Sequence, residues 1–338
     1  MFSPKYTIND RIVSRLTAIA EIRAMTEASK LLPAREAFLR RVAVVKMAHT
    51  STSIEGNQLA EYQVKELAEG KQVRAQADQI REVENYLVAL RKVDELSEKG
   101  AFTQKDVLSL HRTVTSGLVE YEKSGNYRTG LVYPAYTLPP SAQVQKLVEY
   151  LINWLDRHGE IHPIIRAGLF HYQFETIYPF TDGNGRTGRL LTLLHLYQSG
   201  WDFRKVLVLE DFYNRNRKRY YQALQTGDTF ESRSGVDLTG WLEYFVEGFA
   251  DETTRVKEQI LALQVVGETG LTRNVLDHDE LKIVDFVVTV GRITSADVVD
   301  ILRVPKRTAQ GKLKRLEDIR VLTKQGAGPN TYYVIPKV

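Results

Sequence analysis

Residues 178–189 read Tyr-Pro-Phe-Thr-Asp-Gly-Asn-Gly-Arg-Thr-Gly-Arg, and these residue types at this spacing are suited to holding phosphate. Gly183 and Gly185 carry no side chain, so the backbone can turn sharply and bring its N–H groups close to an anion. A helix beginning near Arg186 would aim its N-terminal dipole and its unpaired N–H groups at the same place. Arg186 and Arg189 lie three residues apart, on one helix face, and both can reach a polyphosphate. Asp182 offers a hard carboxylate oxygen beside those phosphates, suited to Mg²⁺. Standing alone, Asp-Gly-Asn-Gly is also the sequence of a plain turn. Two arginines in a first helical turn oppose the helix dipole, however, and this favours an anion at the site.

The elements that must position this loop are mostly helical. Apolar residues recur at three- and four-residue spacing over 12–28, 34–47, 63–69 and 79–96, which predicts four helices. Thr-Gln-Lys-Asp at 103–106 is a capping box that opens another. Residues 125–140 carry Gly125, Gly130, Pro134, Pro139 and Pro140 among Val132, Tyr133 and Tyr136, and predict a hairpin or extended loop. Helical spacing resumes over 144–157 and 163–176, so the phosphate loop joins two helices. The second, 186–197, is rich in leucine (Leu190, Leu191, Leu193, Leu194, Leu196) and should be buried. Helices over 214–224 and 238–262 follow, and the pattern loosens at 267–279, where a domain boundary is placed.

Composition bounds the class. The hydrophobic fraction of 43% and charged fraction of 26% fit a soluble globular protein with room for a large domain and a small one. There is no run of 18 apolar residues, so no membrane span is expected. The start, MFSPKYTINDR, lacks an apolar signal core and predicts a cytoplasmic location. Cysteine is absent, which excludes disulfides and thiolate metal sites. From residue 281 onward there are 11 Lys/Arg against five Asp/Glu, so this end carries +6 while the rest of the chain is −2. A small basic domain is a nucleic-acid candidate, although a solvated surface accounts for the charge equally well.

The stretch 171–189, HYQFETIYPFTDGNGRTGR, resembles the signature of Fic-domain proteins, whose core is HPFxDGNGRxxR. Every fixed position agrees except the first. Gly125-Asn-Tyr-Arg128 followed by Pro139-Pro140 resembles the family's flap, a hairpin that docks the target segment, with Val132 and Tyr136 as its contact residues. Residues 217–224, with Tyr220 and Tyr221, resemble the helix that contacts the nucleotide base. The resemblance covers roughly residues 40 to 250. It implies a mainly α fold: a Fic-type helical bundle with a β-hairpin flap. It also implies a reaction, transfer of AMP from ATP to a Ser, Thr or Tyr hydroxyl of a target protein. In that reaction Asp182 would hold Mg²⁺, and the 183–185 backbone with Asn184 would form the anion hole. Arg186 would grip the α/β-phosphates, Arg189 the γ-phosphate, and Phe180 would anchor the loop.

The departure is Tyr178, which stands where the family has its general base, a histidine. A free tyrosine has a pKa of about 10 against about 6.5 for histidine, so roughly one in a thousand is ionised at neutral pH. Three consequences are open. Tyr178 leaves an ATP-binding domain with weak transfer activity; or Arg186 and Mg²⁺ depress its pKa enough for it to act as base; or another group or another phosphoryl chemistry takes over. His171 is too far along the helix to serve and reads as a packing residue.

Ser51-Thr-Ser-Ile-Glu-Gly-Asn57 resembles the family's inhibitory motif, Ser/Thr-x-x-x-Glu-Gly/Asn. The resemblance implies that Glu55 pairs with Arg189 and blocks the γ-phosphate position, with Ser51 steadying the glutamate. Without the Fic motif, Thr52-x-x-Glu55 would read as a capping box.

Residues 293–316 have a helix–turn–helix pattern. Ser295 caps a helix ending near Leu302, 303–306 turn, and 307–318 form the second helix, with Arg307, Gln310, Lys314 and Arg315 able to face a groove. Residues 324–335 read as a two-stranded wing. This resembles the winged helix–turn–helix domain often fused to Fic cores, for which duplex DNA or a protein are both candidate partners. The expected organisation is an N-terminal helical region with the inhibitory motif (1–100), a Fic core (101–265) and the winged domain (278–338). The expected function is an autoinhibited protein adenylyltransferase weakened at Tyr178. The alternative is an ATP-binding, catalytically impaired regulator that binds DNA. A homodimer is compatible with either.

Overall fold

The computed structural model describes the chain except residues 1, 30, 32, 131, 133–135, 264–275, 329–330 and 337–338, and except the side chains at 262, 263, 288 and 289. The described residues are mainly helical. In chain order the first helices are α1 (Asp10–Ala28), α2 (Pro33–Ile54), α3 (Glu61–Ala68), α4 (Ala77–Ser97) and α5 (Gln104–Thr115). Then come α6 (Ser141–Arg157), α7 (Pro163–Ile177), α8 (Asn184–Gln198), α9 (Leu209–Arg215), α10 (Arg217–Leu224), α11 (Phe230–Gly235) and α12 (Thr239–Leu263). The chain closes with α13 (His278–Val290), α14 (Ser295–Leu302), α15 (Lys306–Asp318) and the strands β1 (Thr323–Gln325) and β2 (Tyr332–Val334).

The leucine-rich α8 lies at the centre, packed by α7, α4, α5 and α2. Its Leu190, Leu191 and Leu194 are wholly buried, as the apolar run requires. Around this centre α1 runs along α12, α6 covers α7, and α2 lies against α9. No helix among the described residues is long and apolar enough to cross a membrane.

Several boundaries differ from the sequence reading, each for a local reason. α2 continues through Ser51, Thr52 and Ser53 to Ile54. Its hydroxyls bond back to carbonyls one turn earlier, Thr50 to Lys46 at 2.7 Å and Thr52 to Ala48 at 2.8 Å. Thr52 is therefore inside a helix and caps nothing. The single helix expected over 214–224 is two, because Asn216 takes a non-helical backbone and its side chain accepts from the Arg219 N–H at 3.0 Å. Thr294, not Ser295, is the cap of α14, in a reciprocal pair with Asp297. Among the described residues of 125–140 there is no regular strand, only a bridge from Thr137 to Thr229; 131 and 133–135 lie outside the described residues. The boundary placed at 267–279 falls largely outside them as well.

At the C-terminal end, α14 packs on α15 and α13, while β1 and β2 form an antiparallel pair with Lys324 opposite Tyr333. Ile293 adds a further antiparallel bridge to Tyr333. α13 also packs against α2, α4 and α3. A largely buried ion cluster joins them. Arg40 of α2 donates to Asp285 of α13 at 2.6 Å and to Glu36 at 3.1 Å. Lys205 pairs with Asp94 of α4 at 2.8 Å and approaches Asp285 at 3.6 Å, while Arg204 pairs with Glu36 at 3.0 Å. Burial, opposed by Lys205, pushes the Asp94 carboxyl up to about 6.

Asp285→Ala strips one acceptor from two buried cations. Breaking a buried pair costs roughly 3–5 kcal/mol, and because Glu36 and Asp94 remain as partners the lower end applies. Urea unfolding of the whole chain should show this loss; a change below about 1 kcal/mol would mean the cluster is freely hydrated.

Candidate active site

The loop between α7 and α8 is built by its own residues. Tyr178 ends α7 in the left-handed region (φ 50°), its N–H bonded to the Phe174 carbonyl at 3.0 Å. Phe180 is buried and lies flat on His111 of α5, with ring centroids 3.6 Å apart. Asn184 staples the turn: its Oδ1 accepts from the Phe180 N–H at 2.8 Å and its Nδ2 donates to the Phe180 carbonyl at 2.9 Å. Its side chain is thus committed to the loop backbone. Gly183 has φ 76°, and a Cβ there would lie 2.8 Å from Thr115. His111 holds the far side: its Nδ1 accepts from the Gly125 N–H at 2.9 Å, which makes Nε2 the donor to the Asp182 carbonyl at 2.9 Å. Burial pushes this imidazole down to about 4, so it is neutral, as that tautomer requires.

Both motif arginines are buried and paired. Arg189 donates from Nε to the Ser51 hydroxyl at 2.8 Å, and from Nη2 to the Ser51 carbonyl at 2.9 Å and Glu55 Oε1 at 2.8 Å. Ser51 therefore grips the arginine; it does not steady the glutamate, because the last turn of α2 points its hydroxyl and carbonyl at the guanidinium. A methyl group on Gly185 would overlap Glu55 Oε1, so the bare glycine is what lets this carboxylate lie on the first turn of α8. Arg186 pairs with Glu82 of α4 at 2.6 Å and with Asp182 at 3.1 Å.

The remaining groups set the electrostatics. Glu175 is pushed up to about 7 by burial, against the pull of Arg189, and its buried Oε1 has no hydrogen-bond partner among the described residues. It lies over the start of α8, 2.6 Å from where a Gly188 Cβ would be. Tyr178 is pushed up to about 12, by burial first and then by Glu175, Glu55 and Asp182. The expectation that cations would depress this phenol is reversed: carboxylates surround it, and the charge of Arg186 is taken by Glu82 and Asp182.

Two of the expected contact residues are already used elsewhere. Tyr220 is 1% exposed; its hydroxyl is 2.8 Å from His171 Nε2 and its ring stacks on Tyr213 at 4.5 Å, so it belongs to the core. Its neighbour Tyr221, 47% exposed, is the one open to a ligand. Tyr136 donates its hydroxyl to the Glu175 and Thr176 carbonyls at 2.6 and 3.0 Å, with the Arg233 guanidinium over its ring, and so ties its segment to α7. Val132 is half-buried. His171 is buried against Thr192 and Tyr220, the packing role expected of it.

Sequence reasoning did not single out His111, Glu82, Glu175 or the role of Arg128. The last joins the 125–140 segment to the loop: its N–H donates to the Pro179 carbonyl at 2.9 Å, Nε to the Tyr178 carbonyl at 2.8 Å and Nη2 to the Pro139 carbonyl at 2.7 Å.

The arrangement can hold an anion at the start of α8, where the Glu55 carboxylate now lies. Asp182 fits a Mg²⁺ that is shared with phosphate: its side chain is 54% exposed and its neighbours are loop N–H and arginine, with no cluster of three metal-ligating side chains among the described residues.

Residues 101–196 match the Fic/DOC family model. These residues form a Fic domain. It is 28% identical to the protein adenylyltransferase Fic of Drosophila grimshawi, over 78% of this chain and 53% of the relative. The Drosophila willistoni protein of the same name is 29% identical over the same shares. The chain thus spans about half the length of the curated relatives it matches. A Fic family protein from Desulfovibrio desulfuricans G20 superposes with a TM-score of 0.66 at 25% identity, covering 98% of both chains. Fic-1 from C. elegans does so at 0.59 and 26%, covering 74% of this chain and 72% of that one. The loop from Tyr178 to Arg189 is therefore the Fic motif of a Fic domain, with tyrosine at its first position.

Proposed function

We infer that this chain is an ATP-binding Fic protein held shut by its own Glu55, and that its site is laid out for transfer of AMP to a hydroxyl of a target protein, weakened by Tyr178. The observation that carries this is the Glu55 carboxylate on Arg189, seated at the N-terminus of α8 where the Fic motif would place phosphate. The names of the curated relatives support adenylyl transfer as the reaction. In that reaction the target hydroxyl oxygen attacks the α-phosphorus, the bond to the β-phosphate breaks, and pyrophosphate leaves. The 183–185 backbone receives the phosphate charge, with Asn184 fixing the loop. Arg186 serves the α/β-phosphates, Arg189 the γ-phosphate once Glu55 withdraws, and Tyr221 lies beside the base. Asp182 would hold Mg²⁺, which supplies charge neutralisation at the phosphates. The hydroxyl proton must be taken at the position of Tyr178, and a phenol pushed up to about 12 takes it poorly.

The test is incubation of the chain, Glu55→Gly and Glu55→Gly/Tyr178→His with ATP labelled on the α-phosphate and a cell lysate. Label transferred to protein by the double variant supports the reading. No nucleotide binding by either variant would remove it.

The DNA-binding regulator remains as a second reading, favoured by the basic face of the C-terminal unit (278–338), here read as a winged helix–turn–helix beside an N-terminal region (1–100) and a Fic core (101–265). Lys306, Arg307, Gln310 and Lys314 of α15 are exposed, with Arg303 next to them. Arg315, expected on this face, is instead paired with Glu280, and Lys312 with Asp277 and Asp279 at 3.1 and 3.0 Å. If the face binds duplex DNA, Lys306→Ala/Arg307→Ala/Lys314→Ala should weaken binding and lower the salt slope by roughly 0.9 per lost phosphate contact. Salt-independent or absent binding by the unchanged chain would point to a protein partner.

A further inference from the structure

Each motif arginine has a carboxylate partner from outside the motif, and the two partners differ in kind. Glu55, on Arg189, comes from the end of α2. Glu82, on Arg186, comes from α4 and is bound at both oxygens: Oε1 is 2.6 Å from Arg186 Nη1, and Oε2 accepts from Asn57 Nδ2 at 2.8 Å. Asn57 is itself fixed. Its N–H donates to the Thr52 carbonyl at 3.1 Å, its Nδ2 also to the Gln79 carbonyl at 3.0 Å, and its Oδ1 accepts from the Leu59 N–H at 3.0 Å. Between Glu55 and Asn57 stands Gly56 with φ 103°, a conformation that brings the chain sharply from one carboxylate's segment to the other's anchor.

The Arg186 guanidinium is therefore held from two sides of unequal strength. Its side chain is 5% exposed and that of Glu82 15%, whereas Asp182 on Nη2 is 54% exposed. An incoming phosphate competes with the exposed Asp182 for Nη2, and an incoming cation competes with Nη2 for the Asp182 carboxylate. The shielded Glu82 contact stays, because withdrawing it would leave a buried arginine without its inner counter-charge.

We propose that Glu82 is a positioning residue for Arg186: it keeps the guanidinium aimed at the start of α8 in the open site, and through Asn57 it ties that aim to the segment that carries Glu55. This rests on the reading of the loop as an ATP site. It gives Glu82 the opposite sign from Glu55. Removing Glu55 frees an arginine for phosphate; removing Glu82 lets one drift away from it.

The experiment is a double-mutant cycle on ATP affinity, measured by calorimetry in the full chain carrying Glu55→Gly. Glu82→Ala should weaken ATP binding about 10-fold or more, the scale of a lost charge-assisted contact. In a chain that also carries Arg186→Ala, Glu82→Ala should change affinity less than about twofold, because its effect passes through Arg186. Tighter ATP binding by Glu82→Ala would make Glu82 a second block and overturn the proposal. An equal loss with and without Arg186 would overturn it too, since that is what general loosening of α4 produces. Failure of Glu55→Gly itself to bind ATP would strike the proposed function, and the role of Glu82 with it.

Discussion

Glu55→Gly is expected to raise the affinity of this chain for ATP by about 10- to 100-fold, the scale of one charge-assisted contact. Glu55 Oε1 lies 2.8 Å from Arg189 Nη2 and against the bare Cα of Gly185, so it fills space and neutralises charge at one place. Withdrawing it leaves Arg189 held on one side by Ser51, through Nε and Nη2, with its phosphate-facing edge open. The arginine stays charged and oriented, which is why a gain in binding is expected instead of collapse. The carboxylate is 29% exposed, so the pair is partly screened and the larger values typical of buried pairs do not apply. Calorimetric titration of both chains with ATP decides the matter. Equal affinity would mean that Glu55 and phosphate occupy different places.

The second large effect is on the chemical step. In the Glu55→Gly background, where nucleotide access does not limit, Tyr178→His should raise the rate of AMP transfer about 10²- to 10⁴-fold. A phenol pushed up to about 12 is ionised in about one molecule in 100,000 at pH 7. The cause is burial first, reinforced by the carboxylates of Glu175, Glu55 and Asp182, all of which disfavour a second negative charge. Histidine needs no such ionisation, being neutral and basic near pH 7. The backbone should accept it, since φ 50° is a left-handed position where histidine is among the better-tolerated side chains. The pH profiles separate the two chains. With tyrosine as base, rate keeps climbing through the alkaline range; with histidine it levels off above about pH 6.5. Equal rates would place the proton acceptor elsewhere, and the buried Glu175, pushed up to about 7, would be the first group to replace.

What the sequence alone made legible was local. The glycines at 183 and 185, the arginines three apart and the leucines of α8 act within one turn and one helix, so spacing along the chain was enough to read them. The Glu55–Arg189 pairing was legible only through resemblance to a family, since nothing in residues 51–57 says which distant cation they meet. Tertiary structure decided the rest, because it depends on which helix faces pack. Tyr220 and Tyr221 are neighbours on a short helix, and only the docking of α10 sends one into the core and leaves the other open. Glu82 and His111 look like ordinary residues of amphipathic helices until α4 and α5 lie against α8 and bring a carboxylate to Arg186 and a neutral imidazole to the Asp182 carbonyl. Ser51 changed partner for the same reason: α2 runs one turn further than its serines and threonines suggested, and that turn aims both hydroxyl and carbonyl at Arg189. Even the acidity of Tyr178 was a tertiary matter. Its residue type set a reference near pKa 10, but its direction of shift came first from burial and then from the carboxylates of Glu175, Glu55 and Asp182, of which Glu55 is brought in by α2.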